Sequence, residues 1–382
     1  MILIFEPICY GYEHVPINVS VIRILLAGGE KEILYYGEEK HCKMIRNELE
    51  SGEQLYISFN STILPSRKSV FYERFLTDLK NIYSILVDDS KSVDLLVIAS
   101  ANSSVLISIK LVKSLFNKSI KCKIILHGGV RAIEGWRSKN PFLRMIDFTN
   151  ALSWLNSKTI EYFVLERSIY DNVIKILPKI HPFLKYIDHP IQRNITDVSP
   201  LDICGESVIR IGFLGVVNEA KGFDEFFWAA EKIAADLPEV FKFYVIGFSQ
   251  ETNCRFSEIF EYGPKYEPVE RSEYLRMANM MHYVCLPYKE GHYKYSASGA
   301  LLDAISLKKP IIASDIEIFS TLFKKYGSIG YIFKEGELYN TILILKRDHN
   351  NETYSEFVNR LSVISEDRLP KNQLGKFLSC AE

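Results

Sequence analysis

The residues best suited to chemistry lie in the run PYKEGHYKYSASGALLDAISLKKPIIASD, from Pro287 to Asp315. A loop rich in tyrosine, serine and glycine follows a predicted strand there, and a helix begins at Ser298-Gly299. Ser296 and Ser298 can cap that helix. The backbone N–H groups of Gly299 and Ala300 then point from its positive end toward an anion, most often a phosphate. The run predicts a phosphate site, the alternative being an ordinary capped helix of the core.

A second candidate is the loop Gly215–Gly222, whose sequence GVVNEAKG lies between a predicted strand, Val208–Leu214, and a predicted helix. Gly215 permits close approach of the backbone to a ligand, and Lys221 provides a mobile positive charge for a phosphate. Asn218 lies in the same loop and is expected to contact the same ligand. The loop matches neither GxxxxGK[ST] nor GxGxxG. Its alternative interpretation is a polar turn with a surface lysine.

Strand-like and helix-like runs, which would position these loops, alternate along most of the chain. The first half predicts strands at 2–5, 33–36, 55–59, 95–99, 123–126 and 160–165. The pattern restarts after a turn-rich segment, 187–200, with strands at 208–214, 241–246, 282–286 and 311–313. This order predicts an α/β fold of two Rossmann-like domains facing a cleft, residues 1–192 and 203–351. Residues 352–382 are predicted to be a helical segment that packs back on the N-terminal domain, with packing on the other half as the alternative.

Composition restricts the class of protein. The chain has 382 residues, a net charge of −1, 47% hydrophobic residues and 24% charged residues, which is typical of a globular protein and unlike a general nucleic-acid binder. The seven cysteines form no CxxC pair, which favours a reducing compartment. We find neither a signal peptide nor a membrane-spanning run in the sequence and expect a cytoplasmic location.

Residues 208–315 resemble the donor-binding half of GT-B glycosyltransferases, close to the retaining family 4. Lys221 matches the phosphate-binding lysine of that family. Asp303 falls where the family's second glutamate contacts ribose, and the run from Asp303 to Ala313 resembles the family's Glu-Ala-x-x-x-x-x-Pro-Val-Ile-Ala segment. The resemblance implies transfer of a sugar from a UDP- or GDP-sugar to a glycan or lipid-linked saccharide, in bacterial surface polysaccharide synthesis. It implies a retaining reaction that needs no metal and no separate cofactor.

The resemblance also implies roles for residues outside the two loops. The base of the nucleotide is expected near Gly263, and the sugar near Glu290, Tyr295 and His127. His127 follows the strand 123–126, and its alternative role is to satisfy a local backbone group. The acceptor side is expected along the loop after the first strand and beside the helix cap after 95–99, a set comprising Glu6, Gly11, His14 and Asn102.

Three departures from the family keep a second function open. Val216 and Val217 stand where the family has an arginine, Tyr295 stands eight positions before Asp303 where it has a glutamate, and Lys308 replaces a glycine. The alternative is a degenerate GT-B module that binds a glycan or a partner enzyme without turnover. A sugar-nucleotide epimerase of the same fold ranks below it, because its expected carboxylate and histidine set is not evident.

A basic stretch suggests a further partner. Residues 110–144 contain nine lysines and arginines but one acidic residue, Glu134. Such a patch can attract the anionic inner face of a membrane or a phosphorylated acceptor, and the alternative is a solvated helix face. The eight histidines are dispersed and form no HExxH motif, so the sequence predicts no metal site.

Overall fold

The computed structural model describes residues 1–87, 93–116, 119–134, 144, 146–192, 208–250 and 256–379. The chain divides into two compact units. Unit 1 comprises Met1–Gln192 and Pro370–Glu382, and unit 2 comprises Arg193–Leu369. Most of the turn-rich segment 187–200, which the sequence predicts to be a linker between the two domains, lies outside the described residues, namely 193–200.

Unit 1 contains a parallel sheet with the strand order β3-β2-β1-β4-β5-β6-β7. Its strands are β1 (Ile2–Phe5), β2 (Ile33–Gly37), β3 (Ile57–Ser61), β4 (Leu95–Ile98), β5 (Lys121–Ile125), β6 (Ile160–Leu165) and β7 (Leu184–Ile187). Its helices include α1 (Val15–Ala27), α2 (Glu39–Glu48), α3 (Ser51–Gln54), α4 (Phe71–Val87), α5 (Ser103–Leu115), α6 (Phe148–Ser153) and α7 (Arg167–Ile176). Every residue of β1 and β4 is buried, as expected for central strands of a parallel sheet covered on both faces.

Unit 2 contains a parallel sheet with the strand order β10-β9-β8-β11-β12-β13. Its strands are β8 (Ile209–Leu214), β9 (Phe241–Ile246), β10 (Phe260–Tyr262), β11 (Tyr283–Leu286), β12 (Ile311–Ser314) and β13 (Gly330–Phe333). Its helices are α8 (Phe223–Asp236), α9 (Phe256–Ile259), α10 (Arg271–Asn279), α11 (Glu290–Tyr293), α12 (Gly299–Ser306), α13 (Glu317–Tyr326), α14 (Leu338–Asp348) and α15 (Asn351–Asp367), among the described residues.

The core of unit 2 lies on both faces of its sheet. Val284 and Leu286 of β11 belong to one hydrophobic cluster, whereas Tyr283 and Cys285 belong to another. Alternate side chains of a strand point to opposite faces, so both faces of this strand are packed. The α/β fold of two Rossmann-like units predicted from the sequence is therefore confirmed.

The segment 352–382 is divided between the two units. Helix α15 packs against α12 of unit 2, whereas a last helix, α16 (Pro370–Leu378), packs against α1 and β7 of unit 1. Phe377 is fully buried in the unit 1 core, and Lys376 pairs with Asp188. The sequence predicts a single helical segment, whereas in the structure its two helices pack on different units.

Candidate functional site

Both sheets have a topological switch point, where ligands bind in open α/β sheets. In unit 1 the first strand, β1, has β2 on one side and β4 on the other; in unit 2 the corresponding strands are β8, β9 and β11. The loops that leave β1 and β4, and those that leave β8 and β11, are therefore the places to look for a site. The Lys221 loop and the Pro287 loop are the two that leave β8 and β11.

Lys221 lies against bare backbone at the end of β8. Gly215 has φ +96°, and a Cβ atom on it would come within 2.4 Å of the Lys221 Nζ. This Nζ donates to the carbonyl oxygen of Leu214 at 3.1 Å and makes no other hydrogen bond to the described residues. An ammonium has three N–H donors. Two of those of Lys221 therefore have no acceptor among the described residues and can bind a ligand.

Burial lowers the pKa of Lys221 to about 8, an effect that the carboxylate of Asp303 opposes. The ring centroid of Tyr288 lies 6.0 Å from the Nζ and adds a weak attraction. A desolvated cation with so few partners is best satisfied by an anionic ligand.

The two loops are held against each other. A Cβ on Gly222, which has φ +66°, would lie 1.7 Å from the carbonyl oxygen of Pro287, so only glycine fits. The Lys289 N–H donates to the carbonyl oxygen of Ala220 at 3.1 Å, and its side chain pairs with Glu219 at 3.0 Å. The exposed Asn218 accepts from the Lys221 N–H at 3.0 Å and so caps the short turn that carries the lysine.

Helix α12 begins where the sequence predicts it. Ser298 is its N-cap, and the serine Oγ accepts from the Leu301 N–H at 3.1 Å. The hydroxyl groups of Ser298 and the buried Tyr288 are hydrogen-bonded at 2.9 Å. Gly299 is exposed and has no atom within 4 Å of where a Cβ would lie, whereas Ala300 is buried. The first turn of α12 is therefore held by its N-cap, and the space beside Gly299 is open.

Asp303 is already engaged by a residue that the sequence did not single out. Arg271, the first residue of α10, donates through Nη1 to Asp303 at 3.0 Å, and its Nη2 donates to the other carboxylate oxygen. Burial, followed by the charge of the Asp303 carboxylate, raises the pKa of the Tyr274 phenol. Because Asp303 interacts electrostatically with Lys221 as well, Lys221 and Arg271 are two cations beside one carboxylate.

The remaining candidates of unit 2 differ in exposure. Glu290 opens α11, is exposed, and makes no side-chain hydrogen bond to the described residues. Tyr295 is only 4% exposed, so its side chain packs into the unit rather than presenting a surface to a sugar. Ser296 is partly exposed in the same loop. Gly263 follows β10. A Cβ atom on it would lie 3.6 Å from the Phe256 Cβ, an ordinary van der Waals distance.

Glu6 of unit 1 is fully buried and does not face a ligand. One carboxylate oxygen accepts from the N–H groups of Ile8 at 2.9 Å and Cys9 at 3.2 Å and from the Ser100 hydroxyl. The other oxygen accepts from the Asn18 side chain at 3.1 Å. Glu6 therefore shapes the loop after β1 from inside, and its prediction as a surface contact to the acceptor is wrong for this reason.

Three imidazole rings lie together at the carboxyl ends of the unit 1 strands. The ring of His127 stacks on His14 with centroids 4.0 Å apart and meets His189 edge-on at 5.9 Å. The Nδ1 of His127 is buried without a hydrogen-bond partner among the described residues, so it satisfies no local backbone group there. Burial and the two neighbouring rings hold the pKa of His127 well below its usual value.

The loop after β1 borders a pocket of about 330 Å³. His14 and Asn102, two of the predicted acceptor-side residues, line it, and Gly11 lies in the same loop with φ +55°. The other lining residues are Pro7, Ile8, Cys9, Tyr10, Glu13, Pro65, Arg67 and Arg74. Arg67 and Arg74 lie beyond the strand-end loops that sequence reasoning inspected; their spacing of seven residues around the start of α4 was the available signal.

The basic stretch 110–144 is not the surface patch that the sequence predicts. Lys110, Lys113 and Lys123 are 2%, 7% and 3% exposed, because their ammonium groups bind backbone carbonyls or Glu161 inside the unit. Lys118, Arg137 and Lys139 lie outside the described residues. The described members that are exposed are Lys121, Arg131 and Arg144. The prediction of a surface patch is therefore wrong for at least three of the nine basic residues.

None of the described helices is both long and apolar enough to cross a membrane. The histidine, cysteine, aspartate and glutamate side chains of the described residues form no group of three or more that could hold a metal ion. The cysteines described as free, Cys9, Cys42, Cys122 and Cys285, are all buried. Location and metal independence stay predictions.

Several solved structures share the fold of this chain over nearly its whole length. The lipopolysaccharide outer core galactosyltransferase WaaB matches with a TM-score of 0.60 and 12% identity over 98% of each chain. HepE from Anabaena in complex with UDP matches with a TM-score of 0.62 and 13% identity over 97% of each chain. UGT89C1 from Arabidopsis thaliana, complexed with UDP-L-rhamnose, matches with a TM-score of 0.57 and 14% identity over 99% of this chain and 96% of that chain. The chain therefore has the GT-B fold.

No protein-family model matches the sequence, and a search of curated proteins finds no significant relative.

Proposed function

We propose that this protein is a glycosyltransferase that takes a sugar from a UDP- or GDP-sugar bound by unit 2. The observation that carries the proposal is Lys221, a desolvated ammonium at the switch point of the unit 2 sheet that has one acceptor among the described residues. A diphosphate there would satisfy its remaining donors. The likeness in fold to WaaB, and to HepE and UGT89C1 with their bound UDP or UDP-sugar, supports this choice of ligand.

In this proposal the leaving diphosphate is stabilised by charges that unit 2 has already assembled. Lys221 and the first N–H groups of α12 neutralise the developing negative charge without a metal ion. Arg271 supplies a second cation near Asp303, which compensates for Val216 and Val217 where the GT-B family 4 enzymes have an arginine. Because the guanidinium has five donors, it can hold Asp303 and a phosphate oxygen together.

The other donor-side roles follow the same order. Asp303, oriented by Arg271, accepts a ribose hydroxyl, and the base lies near Gly263. Glu290 contacts the sugar, because its exposed carboxylate has no side-chain partner in the described structure. Unit 1 binds the acceptor, a glycan or lipid-linked saccharide of bacterial surface polysaccharide synthesis, and His127 contacts the transferred sugar. We include a retaining outcome in the proposal on the strength of the family 4 resemblance alone.

A second candidate is a GT-B module that binds its ligand without turnover. The burial of Tyr295, at the position where the family has a carboxylate, favours it. The two candidate functions differ in whether the protein turns over its ligand. Slow hydrolysis of a bound nucleotide sugar, measured as release of UDP or GDP, supports the enzyme. Stoichiometric binding with no release over many hours supports the module.

The test of the donor site is calorimetric titration with UDP and GDP, followed by their sugars. We expect one nucleotide to bind, and Lys221→Met to weaken that binding by about 1.5–3 kcal/mol, tenfold or more, because a charge-assisted hydrogen bond is lost. Binding of the uncharged nucleoside should change little. The matched control is Lys346→Met, which removes an exposed lysine from the same unit. Absence of binding by any nucleotide or nucleotide sugar would sink the proposal.

A further inference from the structure

The polar side chains that line the unit 1 pocket are mainly hydrogen-bond donors. Its polar side chains include two guanidinium groups, an amide and an imidazole, and its one carboxylate is that of Glu13. Glu13 pairs with Arg67, so its charge is compensated within the pocket wall. Arg74 donates to no carboxylate among the described residues, and the buried Asp78 interacts with it only electrostatically.

Arg74 is fixed in position yet keeps free donors. Its Nε donates to the Ser69 carbonyl oxygen at 2.9 Å, and its Nη2 donates to the Arg67 carbonyl oxygen. Its Nη1 donates to no atom of the described residues. The backbone contacts hold one edge of the guanidinium against the loop before α4, and the other edge is available to a ligand.

Asn102 presents a donor because its acceptor is already used. Its Oδ1 accepts from the Val105 N–H at 3.1 Å, as the N-cap of α5. The Ser104 hydroxyl, which donates its proton to Asp78, lies 2.8 Å from the same Oδ1. The Val105 N–H therefore identifies the oxygen, which leaves the Nδ2 amide without a partner among the described residues. An amide donor thus lines the same pocket as Arg74.

His14 adds a neutral imidazole to the lining. Its Nδ1 lies 3.3 Å from the Cys9 Sγ, and either atom can be the donor, because a neutral imidazole carries its proton on one of two nitrogens. Burial lowers the pKa of His14, so the ring is neutral at pH 7.

The rest of the lining is apolar and suits a sugar ring. Pro7, Ile8 and Pro65 contribute carbon surface, and the Tyr10 ring is covered by the Arg67 guanidinium at 5.7 Å. A volume of about 330 Å³ is at the low end for a small-molecule pocket, where roughly 300–1,000 Å³ is usual. This fits one sugar unit with its charged substituent better than a long oligosaccharide.

We propose that this pocket binds an anionic sugar unit, whose phosphate or carboxylate contacts Arg74 and Asn102. Its interpretation as the acceptor's terminal residue rests on the proposed function; the anion site itself does not. Both substituents are oxyanions, so both meet the same donors, and the two are separated below by the probes.

The test is titration of the full chain with glucose 6-phosphate, glucuronic acid and glucose. We expect at least one anionic sugar to bind at least tenfold more tightly than glucose, with affinity falling as salt is raised. Preference for the phosphate or for the carboxylate identifies the substituent, and either supports the site. Equal affinities for all three sugars, or no binding by either anionic sugar, would overturn it.

Asn102→Asp is the decisive variant. Aspartate is as good an N-cap as asparagine, so α5 keeps its cap, but the amide donor becomes a negatively charged oxygen. We expect a loss of anionic-sugar affinity of tenfold or more. Asn350→Asp is the matched control, because Asn350 caps α15 in unit 2 through the Thr353 N–H. Unchanged binding in Asn102→Asp, with melting temperatures equal to that of the unmodified chain, contradicts the assignment.

Titration of the same samples with UDP and GDP separates the two proposals. Nucleotide binding without anionic-sugar binding overturns the pocket assignment and leaves the glycosyltransferase proposal in place. Anionic-sugar binding without nucleotide binding upholds the anion site and removes its interpretation as an acceptor site. Arg74→Gln should reproduce the loss seen with Asn102→Asp, and Arg347→Gln, at an exposed arginine paired with Asp348, should not.

Discussion

The imidazole ring of His14 stacks on that of His127, with centroids 4.0 Å apart and planes inclined by 18°. His14 holds a left-handed backbone conformation, φ +53°, at the N-cap of α1, so the stack is built from a loop conformation that few side chains adopt. Both rings have a lowered pKa, and burial is the largest cause in each. The pair is therefore neutral at pH 7.

The first prediction concerns His127 and the free energy of unfolding at acidic pH. The pKa of His127 in the folded chain lies well below its unfolded value of about 6.5, so the unfolded chain takes up a proton first as the pH falls. Its contribution to stability is complete above that value and is lost as the pH falls below it. We expect His127→Gln to lose less stability than the unmodified chain between pH 7 and 5, measured by urea unfolding. Equal losses in the two chains would contradict the prediction.

The second prediction concerns Arg271. If its guanidinium reaches a phosphate as well as Asp303, Arg271→Ala should weaken UDP or GDP binding about tenfold, the weight of one charge-assisted hydrogen bond. Arg276→Ala, on the same helix, is the control. Calorimetry with the diphosphate and with the nucleoside separates the contributions. An equal loss for both ligands means that Arg271 acts only through Asp303 and the ribose.

The third prediction concerns Gly222. Alanine there would place a Cβ 1.7 Å from the Pro287 carbonyl oxygen and force φ +66° on a residue with a side chain. We expect a loss of about 2–5 kcal/mol in the free energy of unfolding, from strain and overlap together. Gly375→Ala is the counterpart: it lies within α16 with no atom near the new Cβ, and should gain roughly 0.5–1 kcal/mol. Urea unfolding curves measure both.

The fourth prediction concerns Lys110. Its Nζ donates to the carbonyls of Ala151 at 2.6 Å and Leu152 at 3.0 Å, at the C-terminal end of α6. Lys110→Met should lower stability by about 1–3 kcal/mol, because buried carbonyls lose their donor.

The cost of that substitution should depend on pH. Burial lowers the pKa of Lys110 to about 7, so between pH 7 and about 10.4 the unfolded chain binds more protons than the folded one. The stability of the unmodified chain then rises with pH through this residue, and the difference from Lys110→Met should be larger at pH 9 than at pH 6. Lys43→Met, at an exposed lysine, should show no such dependence.

Much of the fold could be predicted from local patterns. An apolar periodic run that ends at Gly28-Gly29 predicts a helix over Val15–Ala27, and the structure shows α1 with those bounds. The buried strands of a parallel sheet also appear directly in the sequence as short apolar runs. Local patterns do not predict the short strands β7, β10 and β13, since each has only three or four residues and little apolar contrast with its surroundings.

The candidate site was predictable where chemistry follows chain order. Lys221 and Ser298 lie in loops that leave buried strands, and such loops meet at one edge of a sheet. Arg271 could not be found in this way, since its partner Asp303 is 32 residues away and joins it only through the packing of two helices.

The sequence by itself determined the alternation of strands and helices, and with it the two Rossmann-like units and the loops at their switch points. Those features depend on residue periodicity and turn chemistry, which are local. The tertiary structure decided which charges face inward: Glu6 accepts from Ser100, and Lys110 from α5 caps α6, across separations of 94 and 41 residues. A charge buries only where distant segments supply its partners, so its role follows from packing and cannot be read from its neighbours in the chain.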